Sequence, residues 1–204
     1  VRAAGYSVAQ YNMACSGLAA MPDAIPSDVA QAVAAAATAT AQPVFAVSGT
    51  YNMIHPDVAV RREGERRLKV IAAACAALGT KVVTLCTGTR DAQDQWRHHP
   101  DNASPEAWRD LLSAFEVAVG IAEAHGIMLG VEPELANVVS SAATARRLMD
   151  EMKSDAIGIV LDPANLAEQA TPDERREIIA EAVDTLAGRI IMAHAKDRTA
   201  SGEV

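Results

Sequence analysis

Three side chains that commonly bind metal ions each follow directly on a short apolar run. These residues are Glu132, Asp162 and His194. If the three runs are neighbouring strands of a parallel sheet, their carboxyl ends meet at one edge, and the three side chains share one site. Two carboxylates and one imidazole suit Mn²⁺, Mg²⁺, Co²⁺ or Zn²⁺ and leave coordination positions open for substrate oxygens. The pattern therefore predicts a divalent metal site.

Each of these residues also has an ordinary alternative role. A polar residue just after a strand can cap the following helix or face solvent. The metal interpretation is favoured because three consecutive strands end in a ligand at the same position.

The elements that must position these residues are six strands separated by helices. Apolar strands that alternate with helices are typical of a parallel sheet covered by helices. The clearest helix start is the capping box Thr171–Glu174, with proline at the first helical position. No strand is followed by a glycine-rich dinucleotide-binding turn or a Walker lysine, which disfavours the nucleotide-binding α/β folds. The predicted strands are 6–11, 43–48, 81–86, 127–131, 157–161 and 190–193.

Composition sets the broad class of protein. The chain has 204 residues, a net charge of −8, 50% hydrophobic residues and 22% charged residues, which is typical of a globular protein. We expect one domain over residues 1–204, with about six βα units.

The acidic charge disfavours nucleic-acid partners. Three irregularly spaced cysteines favour a reducing, cytoplasmic location. The uncharged stretch 29–54 is interrupted by polar residues and Pro43, so we expect no membrane span.

The strand-end motifs resemble those of the sugar phosphate isomerase/epimerase superfamily. This is the xylose isomerase-like TIM-barrel group, also called AP endonuclease family 2, which includes ketose 3-epimerases, inosose-processing enzymes and endonuclease IV. The resemblance rests on the segments 130–133, 161–165, 194–197 and 48–57.

The resemblance implies an α/β fold of the (β/α)8 TIM-barrel type. A complete barrel takes about 250 residues, whereas the spacing here accounts for six units. We therefore expect a fragment that holds barrel strands two to seven and lacks strands one and eight. Family members hold the metal with Glu, Asp, His and a final Glu. Glu132, Asp162 and His194 match the first three, and the fourth is expected beyond Val204.

The resemblance also implies an isomerase. The expected reaction is the isomerisation or epimerisation of a small sugar, sugar phosphate or polyol, by proton abstraction next to a carbonyl through a metal-bound enediolate, with Glu132 as the base. Six further residues are candidates for substrate binding: His55, Glu134, Asn137, Asn165, Lys196 and Asp197.

Most of these candidates have a plain structural alternative. His55 precedes a helix start, and Glu134 follows a proline that makes a turn equally compatible. Asn137 is an ordinary turn residue. Lys196 and Asp197 can form a surface ion pair.

Two other functions remain as alternatives. One is an endonuclease IV-like metal-dependent phosphodiesterase, which is disfavoured by the acidic charge and by Asn165, where the endonucleases carry a histidine. The other is a non-catalytic barrel that binds a sugar. The sequence does not identify the substrate, whether the substrate is phosphorylated, or which metal binds. It also leaves open whether the enzyme is an isomerase, an epimerase or a dehydratase, and whether the chain forms a homo-oligomer.

Overall fold

Six parallel strands form one sheet in the order of the sequence. The computed structural model describes residues 2–167, 170–194 and 196. Each strand pairs in parallel with the next one along the chain, so the strand order in the sheet follows the sequence. This singly wound order is that of a TIM barrel. The strands are β1 (Ala9–Tyr11), β2 (Val44–Ser48), β3 (Val82–Leu85), β4 (Met128–Val131), β5 (Ile157–Leu161) and β6 (Ile190–Ala193).

Helices connect successive strands and cover one face of the sheet. The last of the longer helices begins with the capping box predicted from the sequence, in which Thr171 and Glu174 bond each other's backbone amides. The helices are α1 (Ser27–Ala39), α2 (Val58–Leu78), α3 (Pro105–His125), α4 (Ala142–Met152), α5 (Pro163–Leu166) and α6 (Pro172–Leu186). Short 3₁₀ helices occupy Arg2–Ala4, Met13–Ser16 and Pro100–Ala103.

The predicted elements are confirmed with small differences at their ends. The first strand is shorter than predicted, because only Ala9–Tyr11 pairs with β2. The short helix α5 was not predicted, because four residues carry too little periodicity to reveal it. In the described part of the chain, no helix has the length and apolar character needed to cross a membrane.

The two faces of the sheet differ in chemistry. Val83 and Leu85 of β3 and Leu129 and Val131 of β4 face the helices, where they join the main hydrophobic core. Since side chains alternate along a strand, the intervening positions point to the opposite, concave face.

The sheet curls enough to bring its first and last strands together. His194, just after β6, lies 2.9 Å from Gln10 of β1, measured from Nε2 to Oε1. A flat six-stranded sheet would separate its edge strands by about 24 Å, at about 4.8 Å per strand. The fold is therefore a curled half-barrel with helices outside, which confirms the expected partial TIM barrel.

The long loop after β3 is fastened by two buried asparagines. Asn52 accepts a hydrogen bond from the Thr89 amide (3.0 Å) and donates one to the Thr89 carbonyl (2.8 Å). Asn102 accepts from the Thr89 hydroxyl (3.1 Å) and the Arg90 amide (2.7 Å), and donates to the Ala136 carbonyl (2.8 Å). These bonds fix the loop against the carboxyl ends of the neighbouring strands.

Candidate metal centre

The three predicted ligands meet at the carboxyl ends of β4, β5 and β6. Backbone hydrogen bonds of the sheet continue through two of these residues. The Glu132 amide donates to the Leu85 carbonyl (2.8 Å), and the His194 amide donates to the Leu161 carbonyl (2.9 Å). Asp162 is fully buried, and Glu132 is 9% exposed. One ligand atom from each of the three side chains lies within 4.8 Å of the others.

The spacing of the ligand atoms fits a divalent cation. His194 Nδ1 lies 3.2 Å from Asp162 Oδ2 and 3.5 Å from Glu132 Oε1. Two atoms that each lie about 2.1 Å from a zinc ion, at an angle of about 90 to 110°, are about 3.0 to 3.4 Å apart. Because two carboxylates and one imidazole are also the right donor chemistry, these residues fit a metal ion.

The charges of this group are balanced by two cationic side chains. Lys196 Nζ lies 2.8 Å from Asp162 Oδ2, the oxygen that also faces His194. Burial acts to raise the pKa of Asp162, but the hydrogen bonds from His194 and Lys196 outweigh it, so the pKa lies well below its ordinary value. Hydrogen bonds to Asp162 and then to Glu132 raise the pKa of His194 to about 9. The histidine is therefore an imidazolium at neutral pH.

Asp162 serves both roles considered for it in the sequence. Its Oδ1 caps α5 by accepting hydrogen bonds from the amides of Ala164 (2.9 Å) and Asn165 (3.1 Å), while its Oδ2 faces His194 and Lys196. The helix-capping alternative and the ligand cluster are thus compatible, because the two oxygens of one carboxylate point to different partners.

Asn165 links the remaining groups. The short helix α5 directs its Nδ2 to Glu132 Oε1 (2.6 Å), and its Oδ1 accepts a hydrogen bond from Lys196 Nζ (2.7 Å). Glu132 and Asp162, which lie on different strands, are therefore connected through one amide and one ammonium group. Five of the predicted site residues come together here: Glu132, Asp162, Asn165, His194 and Lys196.

Gln10 is a member of this cluster that the sequence reasoning missed. Its Oε1 lies 2.9 Å from His194 Nε2, and its Nε2 donates to Thr84 Oγ1 (3.2 Å). With Asp162 on Nδ1 and Gln10 on Nε2, both imidazole nitrogens face acceptors, which agrees with an imidazolium. The available signal was a polar residue in the middle of the first strand.

The other described candidates form hydrogen bonds with loop backbone. His55 Nδ1 accepts from the Asp57 amide (3.0 Å), and its Nε2 lies 3.1 Å from the Ala92 carbonyl. Asn137, which is 2% exposed, accepts from the Gly88 amide (2.6 Å). Glu134 Oε1 accepts from the amide two residues ahead (3.3 Å). Asp197 lies outside the described residues.

The parallel half-barrel, with two carboxylates and a histidine at its strand ends, is a partial TIM barrel with a candidate metal centre. The xylose isomerase-like TIM barrel family model matches residues 1–203. The chain therefore belongs to that family. A search of curated protein sequences found no match.

Solved structures share the fold at low sequence identity. The chain matches 3-keto-D-glucoside 4-epimerase from E. coli with a TM-score of 0.67 and 20% identity, covering 87% of this chain and 69% of that one. It matches L-ribulose 3-epimerase with a TM-score of 0.72 and 19% identity, covering 100% and 65%.

A third match is a xylose isomerase-like TIM barrel protein from Mycobacterium smegmatis in complex with magnesium. Its TM-score is 0.69 at 12% identity, covering 98% of this chain and 66% of that one. The chain thus spans only about two thirds of the length of these solved proteins, between 65% and 69%.

Proposed function

We propose that this chain is part of a divalent-metal-dependent enzyme that isomerises or epimerises a sugar. The observation that carries the proposal is the convergence of Glu132, Asp162 and His194, whose ligand atoms lie within 4.8 Å of one another at the ends of adjacent strands. The epimerases among the structural matches support a sugar as the substrate class.

In this proposal the metal ligands are Glu132, Asp162 and His194. A divalent cation there supplies Lewis-acid polarisation of a carbonyl oxygen and of the hydroxyl beside it. The magnesium complex of a structural match supports a divalent cation in this family. Mn²⁺, Mg²⁺, Co²⁺ and Zn²⁺ are all compatible with the donor set.

Glu132 is the proposed base. It is nearly buried, and Asn165 Nδ2 holds its Oε1 at 2.6 Å, so the orientation of the carboxylate is fixed before substrate binds. The proton beside the substrate carbonyl moves to Glu132. In an isomerisation the same carboxylic acid returns the proton to the former carbonyl carbon while the hydroxyl proton passes to the former carbonyl oxygen, whereas an epimerisation needs a second acid on the opposite face.

Lys196 is the proposed electrostatic partner of the substrate oxygens. Its ammonium group is held by Asp162 and Asn165 and is 30% exposed, so it can add positive charge beside a developing oxyanion. Asn165 can offer hydrogen bonds to the same region. Substrate contacts by His55, Glu134, Asn137 and Asp197 stay predictions.

The location and partners also belong to the proposal. All three cysteines are free, which favours a reducing compartment such as the cytoplasm. The net charge of −8 favours a small-molecule partner over nucleic acid. A homo-oligomer is left open.

Proton exchange in D₂O tests the proposed reaction. The protein with MnCl₂ is incubated with fructose, tagatose, ribulose and their phosphates, and NMR follows deuterium at the carbons beside the carbonyl. We expect exchange with at least one ketose, and a loss of about 10² to 10⁴-fold in Glu132→Gln. The matched control Glu177→Gln changes an exposed carboxylate on α6 and should exchange as the wild type does.

The proposal that this chain belongs to an enzyme is rejected if two results occur together. If no divalent metal is retained and Glu132→Gln exchanges ketose protons as fast as the wild type, the non-catalytic sugar-binding barrel replaces this proposal.

A further inference from the structure

Gln10 joins the candidate metal centre from the opposite edge of the sheet. It lies in β1, whereas His194 directly follows β6, and 184 positions of sequence separate the two residues. Gln10 Oε1 nevertheless lies 2.9 Å from His194 Nε2. The chemistry proposed above gives Gln10 no role, although its side chain contacts one of the three proposed ligands.

The two nitrogens of the His194 ring face different groups. Nδ1 lies 3.2 Å from Asp162 Oδ2 and 3.5 Å from Glu132 Oε1, so this nitrogen faces the other two proposed ligands. Nε2 faces Gln10 instead. A cation that is shared with the two carboxylates therefore takes Nδ1 as its ligand atom.

Ligation through Nδ1 fixes where the remaining ring proton must be. A histidine binds a metal as neutral imidazole, with the lone pair of one nitrogen on the metal and a proton on the other nitrogen. That proton then sits on Nε2 and needs an acceptor, which Gln10 Oε1 provides. Hydrogen bonds of this kind fix the tautomer and the orientation of histidine ligands.

Thr84 and the neighbouring strand hold the Gln10 amide in place. Gln10 Nε2 donates to Thr84 Oγ1 of β3 (3.2 Å), which leaves Oε1 directed at the imidazole. On the intervening strand β2, the register partner of Gln10 is Ala46, and its single methyl group leaves room for the amide to cross β2. Thr84 is 2% exposed, so Gln10 is anchored to the packed sheet.

The orientation of the Gln10 amide decides whether His194 can serve as a ligand. With the amide reversed, its NH₂ group would face Nε2, which would then have to be the unprotonated nitrogen. The ring proton would sit on Nδ1, and that tautomer cannot bind a metal through Nδ1. The observed orientation is the one that is compatible with ligation.

We propose that Gln10 is a positioning residue for His194: it accepts the Nε2 proton and so keeps Nδ1 turned toward the two carboxylates, where a divalent cation binds. This inference rests on the proposed function, because it concerns the same metal site. It makes β1 part of that site, although β1 supplies none of the three proposed ligands.

Two substitutions of Gln10 separate its acceptor from its bulk. Gln10→Leu keeps a side chain of similar size and removes the acceptor, whereas Gln10→Glu keeps an acceptor oxygen. Gln10 is exposed, so neither change opens a cavity in the core. Gln31→Leu is the matched control, because it makes the same change at an exposed glutamine on α1. Circular dichroism and urea denaturation verify that each variant is folded.

Zn²⁺ is the probe, because it is diamagnetic and suits both affinity and NMR measurements. Competition with a chromophoric chelator gives its Kd. Long-range ¹H–¹⁵N spectra show which ring nitrogen carries the proton, and His194→Gln identifies the signals of His194. We expect Gln10→Leu to raise the Kd about 10- to 100-fold and to speed the exchange of the Nε2 proton with solvent. Gln10→Glu should restore both properties, and Gln31→Leu should change neither.

Three results would overturn the positioning role. They are an unchanged Kd in Gln10→Leu, an equal loss of affinity in Gln10→Leu and Gln10→Glu, and a Zn²⁺ complex in which Nδ1 carries the proton. If the wild type retains no Zn²⁺, the proposed metal-dependent function fails, and the metal-free spectra decide the inference. Faster exchange of the Nε2 proton in Gln10→Leu than in the wild type supports it, and equal exchange rejects it.

Discussion

Metal binding at Glu132, Asp162 and His194 is expected to release a proton, because the histidine must lose one to become a ligand. Its hydrogen bonds to Asp162 and Glu132 raise its pKa to about 9, from an ordinary value of 6.5. About 99% of His194 is then protonated at pH 7, and each bound cation displaces about one proton.

The same pKa gives the size of the expected change in Mn²⁺ affinity with pH. Between pH 6 and pH 8 the neutral fraction of a group with a pKa of about 9 rises about 90-fold, and the apparent Kd for Mn²⁺ should fall by that factor. A histidine with its ordinary pKa of about 6.5 would give only about a fourfold change. Asp162 does not add to the slope, because its lowered pKa keeps it ionised over this range.

Electron paramagnetic resonance of free Mn²⁺ measures this affinity at pH 6, 7 and 8. Calorimetry in two buffers with different ionisation enthalpies counts the released protons. The variant His194→Gln should bind Mn²⁺ more weakly and lose most of the pH dependence. A fourfold slope, or no proton release at pH 7, would refute the argument.

The raised pKa of His194 also determines how the stability of the metal-free protein changes with pH. A pKa raised on folding stabilises the folded state fully below the unfolded pKa of about 6.5, and this contribution is lost as the pH rises through about 9. A shift of about 2.5 pH units corresponds to at most about 3 kcal/mol, since the side chain is partly solvated. Urea titrations of metal-free protein at pH 6 and pH 9.5 should show a loss of that sign. Unchanged stability would contradict it.

Urea denaturation checks three more predictions. Gly64→Ala should destabilise the protein by about 2 kcal/mol through its clash with Tyr51, whereas Gly120→Ala, with open space around the new Cβ, should stabilise it by up to about 1 kcal/mol. Equal effects of the two would contradict the packing argument. Asn102→Leu should cost about 3 kcal/mol, because it breaks the hydrogen bonds that hold two loops. Thr171→Ala should cost about 1 kcal/mol by removing the cap of α6, and no loss would mean the cap adds nothing.

The order of the elements and the strand-end ligands could be read from the sequence alone. Apolar runs alternating with helices specify a parallel sheet, and parallel strands place their carboxyl ends at one edge. That rule brings Glu132, Asp162 and His194 together from the sequence pattern alone. Thr171 likewise marks the start of α6, because capping depends on residues that are near neighbours in sequence.

Tertiary structure decided which other side chains join those three. Gln10 reaches His194 across 184 positions only because the sheet curls, and no local pattern encodes that curvature. Asn165 reaches Glu132 because Asp162 caps a four-residue helix that sequence periodicity could not reveal. His55, predicted at the same end of the sheet, bonds instead to the Ala92 carbonyl. Strand order follows from local patterns, whereas side-chain partners depend on curvature and loop paths that the whole packed chain sets.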